Sequence, residues 1–186
     1  MAKPIKHSAL SPRGTALALV DIVEDWSPQR WYPLSAYSQP GKAAGAFYKE
    51  TLGWESDKCG IYFLRAQRAA EFEASTGLSL KRRLFYIGRA GQIARRLNRH
   101  LQVVNHNSAS LAYKITAKSL DRSHMRRNDN MSDLDSFLPA FQATQRYLRD
   151  QCEMTYFLCD NDYRQALLEI LFSLRFRTEF NDWKTH

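Results

Sequence analysis

Cysteine is scarce: three residues in 186, at Cys59, Cys152 and Cys159. They form no CxxC pair and no metal-ligand spacing, which argues against a thiolate metal site and a disulfide framework. They read as small apolar residues of a reducing compartment. Long hydrophobic runs are missing too. The apolar run at residues 16–20 is too short for a secretory core, and nothing approaches the roughly 20 apolar residues of a membrane span. A cytoplasmic protein with no membrane partner is expected. Internal repeats and low-complexity segments are absent. Acidic residues are outnumbered, 19 Asp and Glu against 27 Lys and Arg, for a formal net charge of +8. That balance points to a polyanionic partner, most simply nucleic acid. Residues 81–100 carry Lys81, Arg82, Arg83, Arg89, Arg95, Arg96 and Arg99 with no Asp or Glu at all, so the positive field is focused. His7, His106, His124 and His186 form no ligand cluster.

The length suits one domain, or one domain with an arm. Residues 1–58 are an N-terminal arm or cap. Within them 16–23 is apolar enough for a strand or a short helix, and periodicity does not choose. Pro28, Pro33, Pro40 and Gly41 then punctuate a loop rich in Trp and Tyr, and 43–52 reads as an amphipathic helix ended by Gly53. Residues 60–65 and 84–88 read as strands. Between them 66–81 is helical in composition until Ser75, Thr76 and Gly77 break it. Ile93, Leu97 and Leu101 recur every four residues, one buried stripe of a helix over 91–101. Residues 109–116 are apolar enough to be buried, and 119–132 form a polar loop. A helix follows over 134–151, with Pro139 counting against its first half unless the helix begins there. Residues 153–159 read as a third strand. Asn161 or Asp162 caps a last helix over 163–172 or slightly beyond.

Two tripeptides stand out, Gly60-Ile61-Tyr62 and Tyr86-Ile87-Gly88. Arg96 and His100 follow, one helical turn apart and so on one face, and Glu169 and Asn181 come later. Either tripeptide alone is a common accident. The ordered set resembles the GIY-YIG nuclease family over residues 60–181. The resemblance implies an α+β fold, a small three-stranded antiparallel sheet flanked by helices. The nuclease domain would span 59–186, with insertions at 66–82 and 119–150. It also implies a Mg²⁺-dependent (or Mn²⁺-dependent) DNA endonuclease using one ion per active site and no nucleotide cofactor.

Phosphodiester hydrolysis needs an activated water, charge stabilisation at phosphorus and help for the leaving oxygen. Carried over from the family, Tyr62 orients or deprotonates the water. A phenol is a poor base at neutral pH, and guanidinium charge from Arg96 would lower its pKa. Tyr86 would position the water or a phosphate oxygen. Arg96 suits the scissile phosphate, because its planar fork matches phosphate oxygens. His100 would take a proton from Tyr62 or bond the phosphate. Glu169 would be the single protein ligand of the ion, with Glu179 and Asp182 as competing carboxylates, and Asn181 would brace the site. Gly88 would let the strand turn closely into the next loop, and Gly60 would let backbone approach the site. Lys81, Arg82, Arg83, Arg89, Arg95, Arg99, Arg122, Arg126 and Arg127 are candidates for contacts with the phosphates of double-stranded DNA.

Size and layout fit the family's small restriction endonucleases, with the 119–132 loop reading base edges. A homodimer would explain cutting both strands of a palindrome. The alternatives are a structure-selective or repair nuclease, and a DNA-binding module that has lost catalysis.

Overall fold

Strand β2 (Gly60–Ala66) is buried on both faces, and the rest of the chain is organised around it. It pairs antiparallel with β3 (Leu84–Ala90) on one side and β4 (Cys152–Leu158) on the other. The computed structural model describes residues 12–38, 44–102, 109–125 and 134–181. The sheet has four strands in the order β1-β4-β2-β3, not three. The addition is β1 (Tyr32–Pro33), which pairs Tyr32 with Met154 and Pro33 with Glu153. Two residues, one of them proline, leave no alternating pattern in the sequence, and an edge is where a strand tolerates proline.

Because side chains alternate across a strand, β2 feeds two cores. Ile61 and Phe63 join Ile87 of β3 under α1 (Pro12–Asp25) and the last helix, α7 (Asp162–Phe176). The apolar run that could have been strand or helix is helix. It sets Leu19, Val23, Ile22 and Trp26 on one face, with Trp26 stacked on Phe63 at 4.2 Å between ring centres. The other face of β2, with Tyr62, Leu64 and Ala66, joins a larger core to which five helices contribute. These are α2 (Ala44–Ala46, continued by a wider turn at Phe47–Thr51), α3 (Ala69–Thr76), α4 (Ile93–Gln102), α5 (Ser110–Ser119) and α6 (Leu134–Gln151). Helix α6 runs through Pro139 instead of starting there. Only one early backbone hydrogen bond is lost at that position, while Phe137 and Phe141 on either side are fully buried. Among the described residues no helix is long and apolar enough to cross a membrane.

The outer edge of β3 is covered by the chain's end. Phe180 N–H donates to the Phe85 carbonyl at 3.2 Å, and the Asn181 amide takes both backbone groups of Ile87. Its Oδ1 accepts from Ile87 N at 2.9 Å, and its Nδ2 donates to Ile87 O at 2.5 Å. An otherwise open sheet edge is thereby closed, and Tyr86 is fixed beside it.

Candidate active site

Helix α4 owes its position to a residue far upstream in sequence. Asp57 Oδ1 accepts from Ala94 N and Oδ2 from Arg95 N, each at 3.0 Å, so one carboxylate caps the first turn and places negative charge at the positive end of the helix. Lys58 O accepts from Ile93 N at 2.8 Å, and buried Tyr37 donates its hydroxyl to Ala94 O at 2.8 Å. Near the other end, Gln145 of α6 donates to His100 O at 3.1 Å. With Ile93, Leu97 and Leu101 turned into the core, Arg96 and His100 are aimed at the sheet.

The Tyr62 hydroxyl and His100 Nε2 lie 2.9 Å apart, and both side chains are fully buried. Gly88, directly opposite Tyr62 in the β2–β3 ladder, makes room for the phenol. A Cβ at Gly88 would fall 2.5 Å from both Cζ and the hydroxyl oxygen of Tyr62. Its smallness therefore serves the tyrosine and not the turn that follows. Gly60 likewise admits a neighbouring strand and not the site. It has φ +153°, and a Cβ there would sit 2.2 Å from Phe157 O of β4.

Burial governs the protonation of this pair. It holds the Tyr62 phenol well above its ordinary 10, helped by the negative field of Tyr86. The charge and hydrogen bonding of Arg96 pull the other way without prevailing. The expectation that a guanidinium would bring Tyr62 below its ordinary value is therefore overturned by desolvation. Burial, then the Arg96 charge, lowers His100 to about 3, so its imidazole is neutral. The His100 Nδ1 is buried with no hydrogen-bond partner among the described residues.

Above this pair lies an open cleft of about 360 Å³, lined by Tyr86, Arg89, Arg96, Asp162, Gln165 and Glu169. Tyr86 is half-buried and raised by burial, although its hydrogen bond with Tyr62 eases the shift. Arg96 Nη2 donates to Ser110 Oγ at 3.1 Å. Glu169 comes from α7, whose first turn is capped by Asn161 accepting from Arg164 N at 2.9 Å. Its carboxylate faces Arg89 Nε at 3.4 Å and retains 16% side-chain exposure. Burial raises Glu169, against the lowering charges of Arg89, Lys114 and Arg96. Asn181 borders the neighbouring groove and holds β3 through Ile87.

The cationic candidates divide. Arg89, Arg95 and Arg99 line a shelf continuous with the cleft. Lys81 and Arg82 share a second groove with Lys118 and Arg177. Arg83 is tied into the sheet, its Nε donating to Ala66 O at 3.0 Å. Arg122 N–H closes a turn on Ala117 O. Arg126 and Arg127, with the rest of the 119–132 loop beyond residue 125, lie outside the described residues, as does Asp182. Glu179 is engaged elsewhere, accepting from Lys81 N at 2.6 Å. Sequence reasoning missed Asp57, Ser110, Lys114 and Gln165. Asp57 sits 36 residues ahead of the helix it caps, and nothing local marks it.

No family model, curated protein or solved structure matches this chain.

Proposed function

We propose that the cleft hydrolyses phosphodiester bonds in double-stranded DNA with the help of one divalent cation at Glu169, the chemistry implied by the GIY-YIG resemblance. The observation that carries this reading is the meeting of Tyr86, Arg96 and Glu169 in one open cleft above the buried Tyr62–His100 pair.

The donors suit the ion. Asp162, Gln165 and Glu169 offer the cleft only oxygen ligands, since the Gln165 nitrogen is spent on Cys159 O at 2.6 Å. Oxygen sets favour hard cations such as Mg²⁺ or Mn²⁺. Among the described residues no group of three or more His, Cys, Asp or Glu could hold a metal alone, so water and substrate oxygens would complete the shell. Burial disfavours the charged Glu169 carboxylate, and a bound cation would offset that cost, displacing Arg89. Once held there, the ion would offset charge developing on the leaving oxygen.

The protein's own groups do the rest. Arg96, steadied by Ser110, grips the scissile phosphate with its fork. Tyr86 meets the attacking water at the cleft wall. Tyr62 has no exposed surface, so it receives the water's proton through Tyr86 and passes it toward His100. Phosphate on Arg96 neutralises one of the two influences that keep His100 unprotonated, so substrate itself makes the imidazole a better proton acceptor. Freed Arg89, with Arg95 and Arg99, holds flanking phosphates.

A sequence-specific, restriction-like enzyme acting on both strands would work as a homodimer. Tyr163, Leu167, Ile170 and Leu174 form an exposed apolar row on the outer side of α7, suited to a second copy. Incubating plasmid with Mg²⁺ or with EDTA tests the reading. Discrete Mg²⁺-dependent fragments are expected. A smear or nicking alone would favour a structure-selective or repair nuclease, and binding without cutting would leave a DNA-binding module.

A further inference from the structure

A second groove, basic and distinct from the Arg95–Arg99 shelf, lies within electrostatic reach of the cleft. Its near half is lined by Lys114, Lys118, Ser123, Glu179 and Asn181, and its far half by Lys81, Arg82, Lys118, Arg177 and Glu179. The halves share Lys118 and Glu179, so they form one channel. The near half reaches the site twice. Asn181 is bonded to Ile87 beside Tyr86, and the charge of Lys114 acts on the Glu169 carboxylate. Lys114 and Lys118 stand one turn apart on α5, about 6 Å along its axis. Glu179 is the groove's one lining carboxylate among the described residues. It is occupied by the Lys81 N–H at 2.6 Å, which fixes the loop presenting Lys81 and Arg82.

Arg177 supplies an independent sign. It ends α7 in the left-handed region, at φ 49° and ψ 53°. A helix normally places Gly or Asn in that conformation, because a Cβ is penalised there. A long cationic side chain at such a position is conformationally unfavourable and lines the groove. The conformation itself closes the helix, with Arg177 N–H donating to Leu174 O and Thr178 N–H to Ser173 O, each at 3.3 Å; that closure asks for no arginine, and the side chain lines the groove.

We infer that this groove, through Lys114, Lys118 and Arg177, binds the sugar–phosphate backbone of the DNA that occupies the cleft, in addition to the Arg95–Arg99 shelf. The inference rests on the nuclease reading for its substrate. The contacts are to phosphate and carry no sequence information, so the groove holds the duplex in place while the cleft acts. Of these three residues none lies in the basic stretch at 81–100. Only the fold brings them to Lys81 and Arg82.

The test is fluorescence anisotropy of a labelled DNA duplex at a series of KCl concentrations, in EDTA so that no cutting intervenes. Lys114→Ala/Lys118→Ala should weaken binding about tenfold and flatten the log–log salt slope by about 2, as expected for two lost phosphate contacts. Arg177→Gly should weaken binding several-fold and reduce the slope by about 1. Its thermal midpoint should stay the same or rise, because glycine relieves the left-handed position. Unchanged affinity and slope in the folded variants would overturn the groove. So would a wild-type protein that binds no duplex. Variants that bind less well in a protein that never cuts would retain the groove and remove the nuclease reading. Cutting by wild type with unaltered variant binding would do the reverse.

Discussion

Gly88 and Tyr62 compete for the same space, and the site depends on the glycine yielding it. Adding one methyl at Gly88 puts carbon 2.5 Å from the Tyr62 ring and hydroxyl. That is overpacking of a closed core, costing about 1–3 kcal/mol, and the ring can move only by leaving His100. Gly88→Ala should therefore lower stability in chemical denaturation by that amount and remove most cleavage. A variant that keeps both would show that the Tyr62–His100 bond is dispensable. His100 sets a second residue-level expectation. Its folded pKa of about 3 lies below the ordinary 6.5, so the unfolded chain binds a proton that the folded one refuses. Stability should fall as pH drops from about 6.5 toward 3. Between pH 6.5 and 5 this one group should account for about 2 kcal/mol, and His100→Gln should remove that part of the slope. Equal slopes in the two proteins would mean that His100 binds its proton as readily in the folded state as in the unfolded one.

At the scale of elements, α4 carries two site residues and is held at its start by one carboxylate. Asp57→Ala leaves two first-turn N–H groups without their acceptor and should cost about 1–2 kcal/mol. Cleavage should fall with it, because Arg96 and His100 ride on the helix. Asp150→Ala, which breaks an exposed pair with the adjacent Arg149, should change melting little. Asp57→Ala melting like wild type would contradict the capping role. The same contrast explains what the sequence disclosed. Strands β2, β3 and β4 and helices α4 and α7 were legible, because each carries its own period or cap within a few residues. Six candidate site residues came from the GIY-YIG resemblance; the fold brings Tyr86, Arg96 and Glu169 to one cleft above Tyr62 and His100, and sets Asn181 on the edge of β3. The Asp57 cap, the two-residue β1 and the meeting of Lys114 with Glu169 were not, since each is a contact between distant segments with no local pattern. Pro139 misled because propensity weighs a lost hydrogen bond and not the buried Phe137 and Phe141 that outweigh it.

At the scale of the molecule, the sheet divides two labours. One face, under α1 and α7, is an aromatic core around Phe63, Trp26 and Phe172. The other face carries Tyr62, and the helices over it bring Arg96, His100 and Lys114. The net charge of +8 is thus not spread evenly. Arg89, Arg95 and Arg99 line a shelf joined to the cleft, and Lys114, Lys118 and Arg177 line a second groove from which Lys114 acts on Glu169, a distribution suited to an extended polyanion. We propose that DNA bound along this surface is hydrolysed with a cation at Glu169. The most direct test follows duplex cleavage by wild type and by Glu169→Gln in the same Mg²⁺ titration, with binding of the duplex measured alongside in EDTA. Wild type should cut only with Mg²⁺, and Glu169→Gln should bind as well or better but cut at least a hundredfold more slowly. Cleavage by Glu169→Gln at the wild-type rate, or by wild type in EDTA, would contradict the account.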